Sequence, residues 1–266
     1  MAGETGRCCI CGVEGELSFE HVPPRAAYND QRIFETNIQA MMKEDDAGRE
    51  ARGKWVQGGA GRYTLCGKCN NLTGWWYGSS YVKWARLAKE LLERSDGKMS
   101  LEYYPYRIYP LRVIKQVVTM FCSACGPNFQ ERFADMAKFV LDRDQRYLPY
   151  EMKVYAYLID AKKSVGNRQS PMSGVLKGTK QHIFAEIAFA PLGFVLTGDV
   201  VPVSAALVDI TNFSYSSFFT CQTIFLNLPV LPINTWLPGD FRTREEIIAG
   251  MESGKKQGRI DLDVLR

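Results

Sequence analysis

Apolar and polar positions divide the chain into two unlike parts. From residue 1 to about residue 78, long apolar runs are scarce while glycine and cysteine recur. Leu17-Ser18-Phe19 alternates and predicts a short strand leading into Glu20-His21. A charged run from Lys43 to Arg52, followed by Gly58-Gly59-Ala60-Gly61, predicts a loop over residues 41–62. Tyr81, Trp84, Leu87, Ala88 and Leu91 then recur at helical spacing. Ser79 or Ser80 is the expected cap of that helix, which runs to Arg94 and stops at Ser95-Asp96-Gly97.

Leu111 to Cys122 reads as a buried helix, and Asn128-x-x-Glu131 as a capping box opening a helix to about Asp142. Beyond Pro149 the period shortens. Val154–Leu158, Ile183–Ile187, Gly193–Leu196, Ala206–Ile210 and Thr223–Leu226 are β-rich and separated by Gly, Pro and Asn, which predicts an antiparallel sheet. Thr243-x-x-Glu246 predicts a final helix to about Met251. The expected fold class is α+β: a cysteine-rich module over residues 1–95, then a second domain over residues 96–266. That domain begins with a helical segment and continues as a mostly antiparallel sheet with helices.

Composition adds bounds. With 46% apolar and 12% aromatic residues among 266, the chain can bury a substantial core. The first residues lack the apolar stretch of a secretory signal, and no run of about 20 apolar residues predicts a membrane span. A soluble, cytoplasmic protein is expected, and in that setting paired cysteines favour metal over disulfides. The net charge of +4 is mild, but its distribution is uneven. Between Ala51 and Lys89 stand Arg52, Lys54, Arg62, Lys68, Lys83, Arg86 and Lys89, with no acidic residue among them. Trp55, Trp75, Trp76 and Trp84 fall in the same stretch. Cations that neutralise phosphates beside rings that stack on bases suit a nucleic-acid surface. A solvated helix face backed by core aromatics gives the same pattern.

The candidate chemistry lies in the cysteine spacing. Cys8-x-x-Cys11 and Cys66-x-x-Cys69 offer four thiolates, the number and kind that close a tetrahedral zinc site. Cys9-x-Cys11 is an alternative pairing with a less usual spacing. Cys122-x-x-Cys125 has no partner ligands nearby in sequence and reads as helix packing. Between the two pairs stands Glu20-His21, and Asn70-Asn71 follows Cys69 directly.

This arrangement resembles the HNH (ββα-metal) nuclease superfamily, in its zinc-containing endonuclease VII-like branch, where an Asn follows the fourth zinc cysteine. The resemblance covers about the first 75 residues and implies a treble-clef-like ββα-metal module. It implies structural Zn²⁺ on Cys8, Cys11, Cys66 and Cys69, and His21 as the general base. Glu20 and Asn70 would hold a catalytic Mg²⁺ or Mn²⁺. An imidazole changes charge near neutral pH and suits proton abstraction from water. Mg²⁺ prefers oxygen ligands and keeps several waters, so two protein oxygens suffice. The chain departs from the family pattern in three places. The final His is missing, so Asn70 or Asn71 must serve as ligand. The first acid is Glu rather than Asp. The gap between Cys11 and Cys66 is long.

The expected function is metal-dependent hydrolysis of nucleic acid, with DNA favoured by family analogy. Arg25, Arg52, Lys54, Arg62 and Lys68 are the expected phosphate contacts. No membrane partner is expected, and the C-terminal domain is a candidate for substrate positioning, sensing or homo-oligomer formation. The alternative is a zinc-finger binding or adaptor protein that does not cut.

Overall fold

The structure is a computed structural model that describes residues 4–37, 53–95, 104–164, 166–177, 180–198 and 204–256. It mixes helices with antiparallel sheets, as the pattern predicts. The chain opens with β1 (Thr5–Arg7) and β2 (Glu14–His21), continues through the hairpin of β3 (Ile33–Thr36) and β4 (Gly53–Val56), and reaches β5 (Gly61–Cys66). β2 lies between β1 and β5 in an antiparallel sheet. The expected three-residue strand is thus the centre of a longer one. The expected loop over residues 41–62 is partly strand, because β4 and β5 begin inside it; residues 38–52 lie outside the described residues.

From Cys66 the backbone turns directly into helix. α1 (Gly67–Thr73), a π-helical turn (Gly74–Gly78) and α2 (Ser79–Arg94) form one continuous helical run. Neither Ser79 nor Ser80 caps α2: the preceding Gly78 is already helical, so no orphan amide needs a side chain. β6 (Tyr104–Ile108) leads to α3 (Pro110–Cys125), whose proline at the first position suits a helix start.

The helix expected over residues 128–142 is two helices. α4 (Pro127–Arg132) and α5 (Ala134–Leu141) meet at Phe133, whose backbone leaves the helical region. The Asn128–Glu131 box does not form; Gly126 takes the cap position and Glu131 pairs with Arg7 instead. The second expected box does form. Thr243 and Glu246 exchange backbone-to-side-chain bonds of 2.7 and 3.2 Å at the start of α6 (Arg244–Lys256).

The C-terminal sheet comprises β7 (Lys153–Leu158), β8 (Arg168–Lys177), β9 (Lys180–Phe189), β10 (Leu192–Thr197) and β11 (Val208–Asp209), in the order β11-β7-β10-β9-β8. A 3₁₀ turn (Thr211–Tyr215) follows, and β12 (Gln222–Leu226) pairs with β6. β8 escapes the sequence pattern because it contains Pro171 and Gly174. Its place at the sheet edge, with a bulge between Ser170 and Ser173, is where proline is tolerated.

One buried cluster runs through both parts of the chain. It joins Cys8, Leu65 and Trp84 to Phe121, Phe194 and Phe213, so the core does not stop at residue 95. The cause is α3, which is buried on nearly every side and packs against α2, α5, β8 and β9. Even Lys115 is buried there, donating to the carbonyls of Phe139 and Asp142 at the end of α5. Ion pairing continues the theme in the sheet, where buried Arg168 and Glu186 meet at 2.8 Å.

A shared core predicts shared unfolding. Phe121→Ala removes a ring at the centre of α3 and is expected to cost about 3–5 kcal/mol. Guanidinium melts should show one transition, shifted as a whole. Two transitions, with only the later one shifted, would contradict a common core.

Candidate metal centre and cleft

The first two cysteines lie on the turn between β1 and β2. Gly12, at φ 73°, closes that turn with its N–H on the Cys8 carbonyl at 2.9 Å. Cys66 ends β5 and is the N-cap residue of α1, while Cys69 sits in the first helical turn. The four sulfurs lie within 4.8 Å of one another, and those of Cys11 and Cys66 are 3.8 Å apart. A tetrahedral zinc with bonds of ~2.3 Å places its sulfurs about 3.8 Å apart. The cluster can therefore hold a structural metal such as zinc. The thiols are also electrostatically linked: a hydrogen bond from Cys69 draws Cys8 down and pushes Cys69 up. Cys9 stays outside the cluster, buried in the core, and burial pushes its thiol up to about 12.

Strand β2 carries the remaining chemistry away from that cluster into a cleft of about 750 Å³. Glu20, His21 and Asn70 all line it, so three residues expected from sequence share one wall. Asn71 is exposed and is not among the lining side chains.

His21 points one ring nitrogen at a backbone carbonyl: Nε2 lies 3.0 Å from the Gly58 oxygen. A carbonyl only accepts, so Nε2 carries the hydrogen and the neutral ring leaves Nδ1 bare. The ring also packs edge-on against Phe19, with centroids 4.9 Å apart. The loop that carries Gly58 is anchored two residues on, at Ala60, by Asn29, a fully buried residue that the sequence pattern does not single out. Asn29 accepts from the Ala60 N–H at 2.6 Å and donates to the carbonyls of Ala60 and Pro23 at 2.7 and 2.6 Å. It thereby ties the glycine loop to the segment just after His21. Gly59 allows this approach. At φ 102°, an added Cβ would stand 2.1 Å from the Asn29 carbonyl oxygen.

Asn70 is fixed in the same manner. Its Nδ2 donates to Ser18 Oγ at 3.0 Å and to the Phe19 carbonyl at 3.1 Å, stapling α1 to β2. The amide nitrogen is thus committed to the protein, which leaves Oδ1 as the acceptor for a cation. Glu20 is 7% exposed, and burial pushes its carboxyl from 4.5 up to about 7. Burial disfavours the charged carboxylate, a cost that a bound divalent ion would offset.

The expected cations divide. Arg25 lines the cleft. Lys54 instead pairs with Glu35 across the β3–β4 hairpin at 3.6 Å. Arg62 and Lys68 are exposed outside the cleft, and Arg52 lies outside the described residues. Lys83 and Arg86 of α2 border the cleft. In sequence they belong to the basic stretch, but nothing there separates them from a solvated face. The aromatics divide as well. Trp55 and Trp75 are 58% and 78% exposed, whereas Trp84 is fully buried. Comparison with protein-family models, curated proteins and solved structures finds no match.

Two outcomes follow from this geometry. Cys66→Ser is expected to lose the bound metal and melt the β1-β2-β5 sheet, since metal binding and folding are coupled in such sites. Metal analysis with hydrogen exchange checks this; full protection of β2 without metal would contradict it. The second outcome concerns pH. Without an ion, the raised carboxyl of Glu20 contributes stability below pH 4.5 that is lost as pH rises through about 7. An ion held by Glu20 would displace that proton, so the affinity for Mn²⁺ is expected to rise about tenfold per pH unit below about pH 7 and then level off. Calorimetric titration should find this slope in the wild type and no cleft binding in Glu20→Gln.

Proposed function

We propose that the protein is a metal-dependent endonuclease of the HNH (ββα-metal) type. The observation that carries this reading is the convergence of Glu20, His21 and Asn70 on one cleft beside the four-cysteine cluster. The antiparallel pair β2 and β5, with α1 directly after β5, supports a ββα reading, the β3–β4 hairpin standing between the two strands as an insertion. Zinc on the four cysteines is structural in this reading, because four thiolates leave no open position.

His21 is the general base. Its Nε2–H bond to Gly58 aims the ring, and Nδ1 takes a proton from the attacking water. The water oxygen bonds to phosphorus as the bond to the 3′ oxygen breaks. Glu20 and Asn70 Oδ1 would hold Mg²⁺ or Mn²⁺. Such an ion, when bound, neutralises charge on the phosphate and the leaving oxygen. Arg25, Lys83 and Arg86 attract and orient the polyanion. DNA is the proposed substrate by resemblance to the family.

Plasmid cleavage tests the reading. Wild-type protein with Mg²⁺ or Mn²⁺ is expected to nick DNA, with EDTA abolishing the reaction. His21→Ala should lower the rate at least about 100-fold, the range for loss of a general base, while keeping its metal and melting curve. Cleavage at the wild-type rate by His21→Ala would assign the base to another residue. DNA binding without any cleavage would favour a non-catalytic binding module.

A further inference from the structure

The cleft contains more than the proposed hydrolytic trio needs. Gln116 lies in the middle of α3, outside the cysteine-rich segment, yet it lines the same cleft. It is 1% exposed, and its Oε1 has no hydrogen-bond partner. A buried amide oxygen left unpaired costs about 1–3 kcal/mol. An apolar residue would serve α3 better if packing were its only role.

The wall in front of Gln116 is cut back. The π-helical turn between α1 and α2 presents Gly74 and Gly78 to the cleft, four residues apart. A Cβ on Gly78 would stand 3.9 Å from Gln116 Oε1, so a larger side chain there would cover the amide. π-helical turns cost regular hydrogen bonding and occur frequently at functional sites. Lys83 and Arg86 stand three residues apart on α2 and so share one helix face at the cleft rim. Both are exposed.

Resting on the endonuclease reading, we propose that Lys83, Arg86 and Gln116 form a nucleotide subsite beside the scissile phosphate, and that it takes an unpaired nucleotide. The two cations hold a neighbouring phosphate. Gln116 meets the base. A phosphate oxygen only accepts, and the rim cations already serve it. An amide carries a donor and an acceptor side by side, which complements the edge of a base. The dimensions favour a single nucleotide over a duplex. About 750 Å³ lies within the range of small-ligand pockets, ~300–1,000 Å³. A stacked, paired base cannot reach a residue on the cleft floor, so the base must leave the stack or begin unpaired. The substrate class is therefore single-stranded or locally unpaired nucleic acid.

The test uses the full chain with His21→Ala to prevent cutting, and labelled oligo(dA), oligo(dC), oligo(dG) and oligo(dT) as probes. Gln116→Met, similar in size and without polar atoms, is expected to weaken binding of one of the four about tenfold, the scale of a lost base contact. The other three should change little. Gly78→Val should give the same selective loss by covering an intact Gln116. Lys83→Ala and Arg86→Ala should weaken all four alike and reduce the salt slope by about 0.7 each, as for one phosphate on a single strand. A duplex of equal length should compete less well than the single strands. Equal affinities in parent and Gln116→Met for all four probes would overturn the base contact. Equally strong competition by the duplex would overturn the unpaired-nucleotide assignment. In both cases the endonuclease reading survives. A parent protein that binds no nucleic acid would overturn both together.

Discussion

Four sulfurs near one point set the rest of the site. Two thiolates 3.8 Å apart repel by about 4 kcal/mol at an effective dielectric of ~20. A cation among them would turn that repulsion into a bond between the first turn of the chain and the start of α1. Once Cys66 and Cys69 are drawn to Cys8 and Cys11, β5 must lie along β2, and α1 must leave from that corner. Asn70 follows Cys69 by one residue, so it arrives next to Ser18 and Phe19. The arrival of Glu20 and Asn70 at one cleft thus follows from the cysteine corner.

The opposite side of the cleft depends on a different force. α3 is buried on nearly all sides and is held mainly by burial of its apolar residues, at the scale of about 25 cal/mol per Å², with Lys115 hydrogen-bonded to the end of α5. It presses against the π-helical turn and α2 and sets their distance from β2. The C-terminal sheet reaches the same place. Gln169 of β8 donates to the Val22 carbonyl at 2.6 Å, immediately after His21. Thr64 of β5 meets Ser123 of α3 at 3.0 Å. The C-terminal segment therefore braces the part of the cleft that the N-terminal segment supplies.

Much of this was legible in the amino-acid order, and the reasons differ by residue. Cysteine spacing is a local signal with few structural alternatives, so the four ligands could be read directly. Glu20, His21 and Asn70 could be read because each stands next to, or between, those cysteines. α2, α3 and the apolar strands β7, β9 and β10 follow from periodicity. Asn29 could not be read, since its partner Ala60 is 31 positions away and only the folded loop joins them. Gln116 is one polar residue in a core helix, and its place against the cleft, beside Gly78 of another helical run, exists only in the folded chain. The basic stretch fits a polyanion surface and a solvated face equally well in sequence, and the fold divides it: Lys54 pairs with Glu35, while Lys83 and Arg86 line the cleft. The chain changes in character after about residue 78, yet α3 carries the core across the expected boundary at residue 95.

Anomalous diffraction from crystals soaked in Mn²⁺ tests the central claim most directly. Data at the zinc and manganese edges should show two separate sites. Zinc should lie among Cys8, Cys11, Cys66 and Cys69, and manganese between Glu20 and Asn70 on the cleft wall beside His21. Manganese absent from the cleft at concentrations that support binding in solution would contradict the account. So would manganese bound there without Glu20.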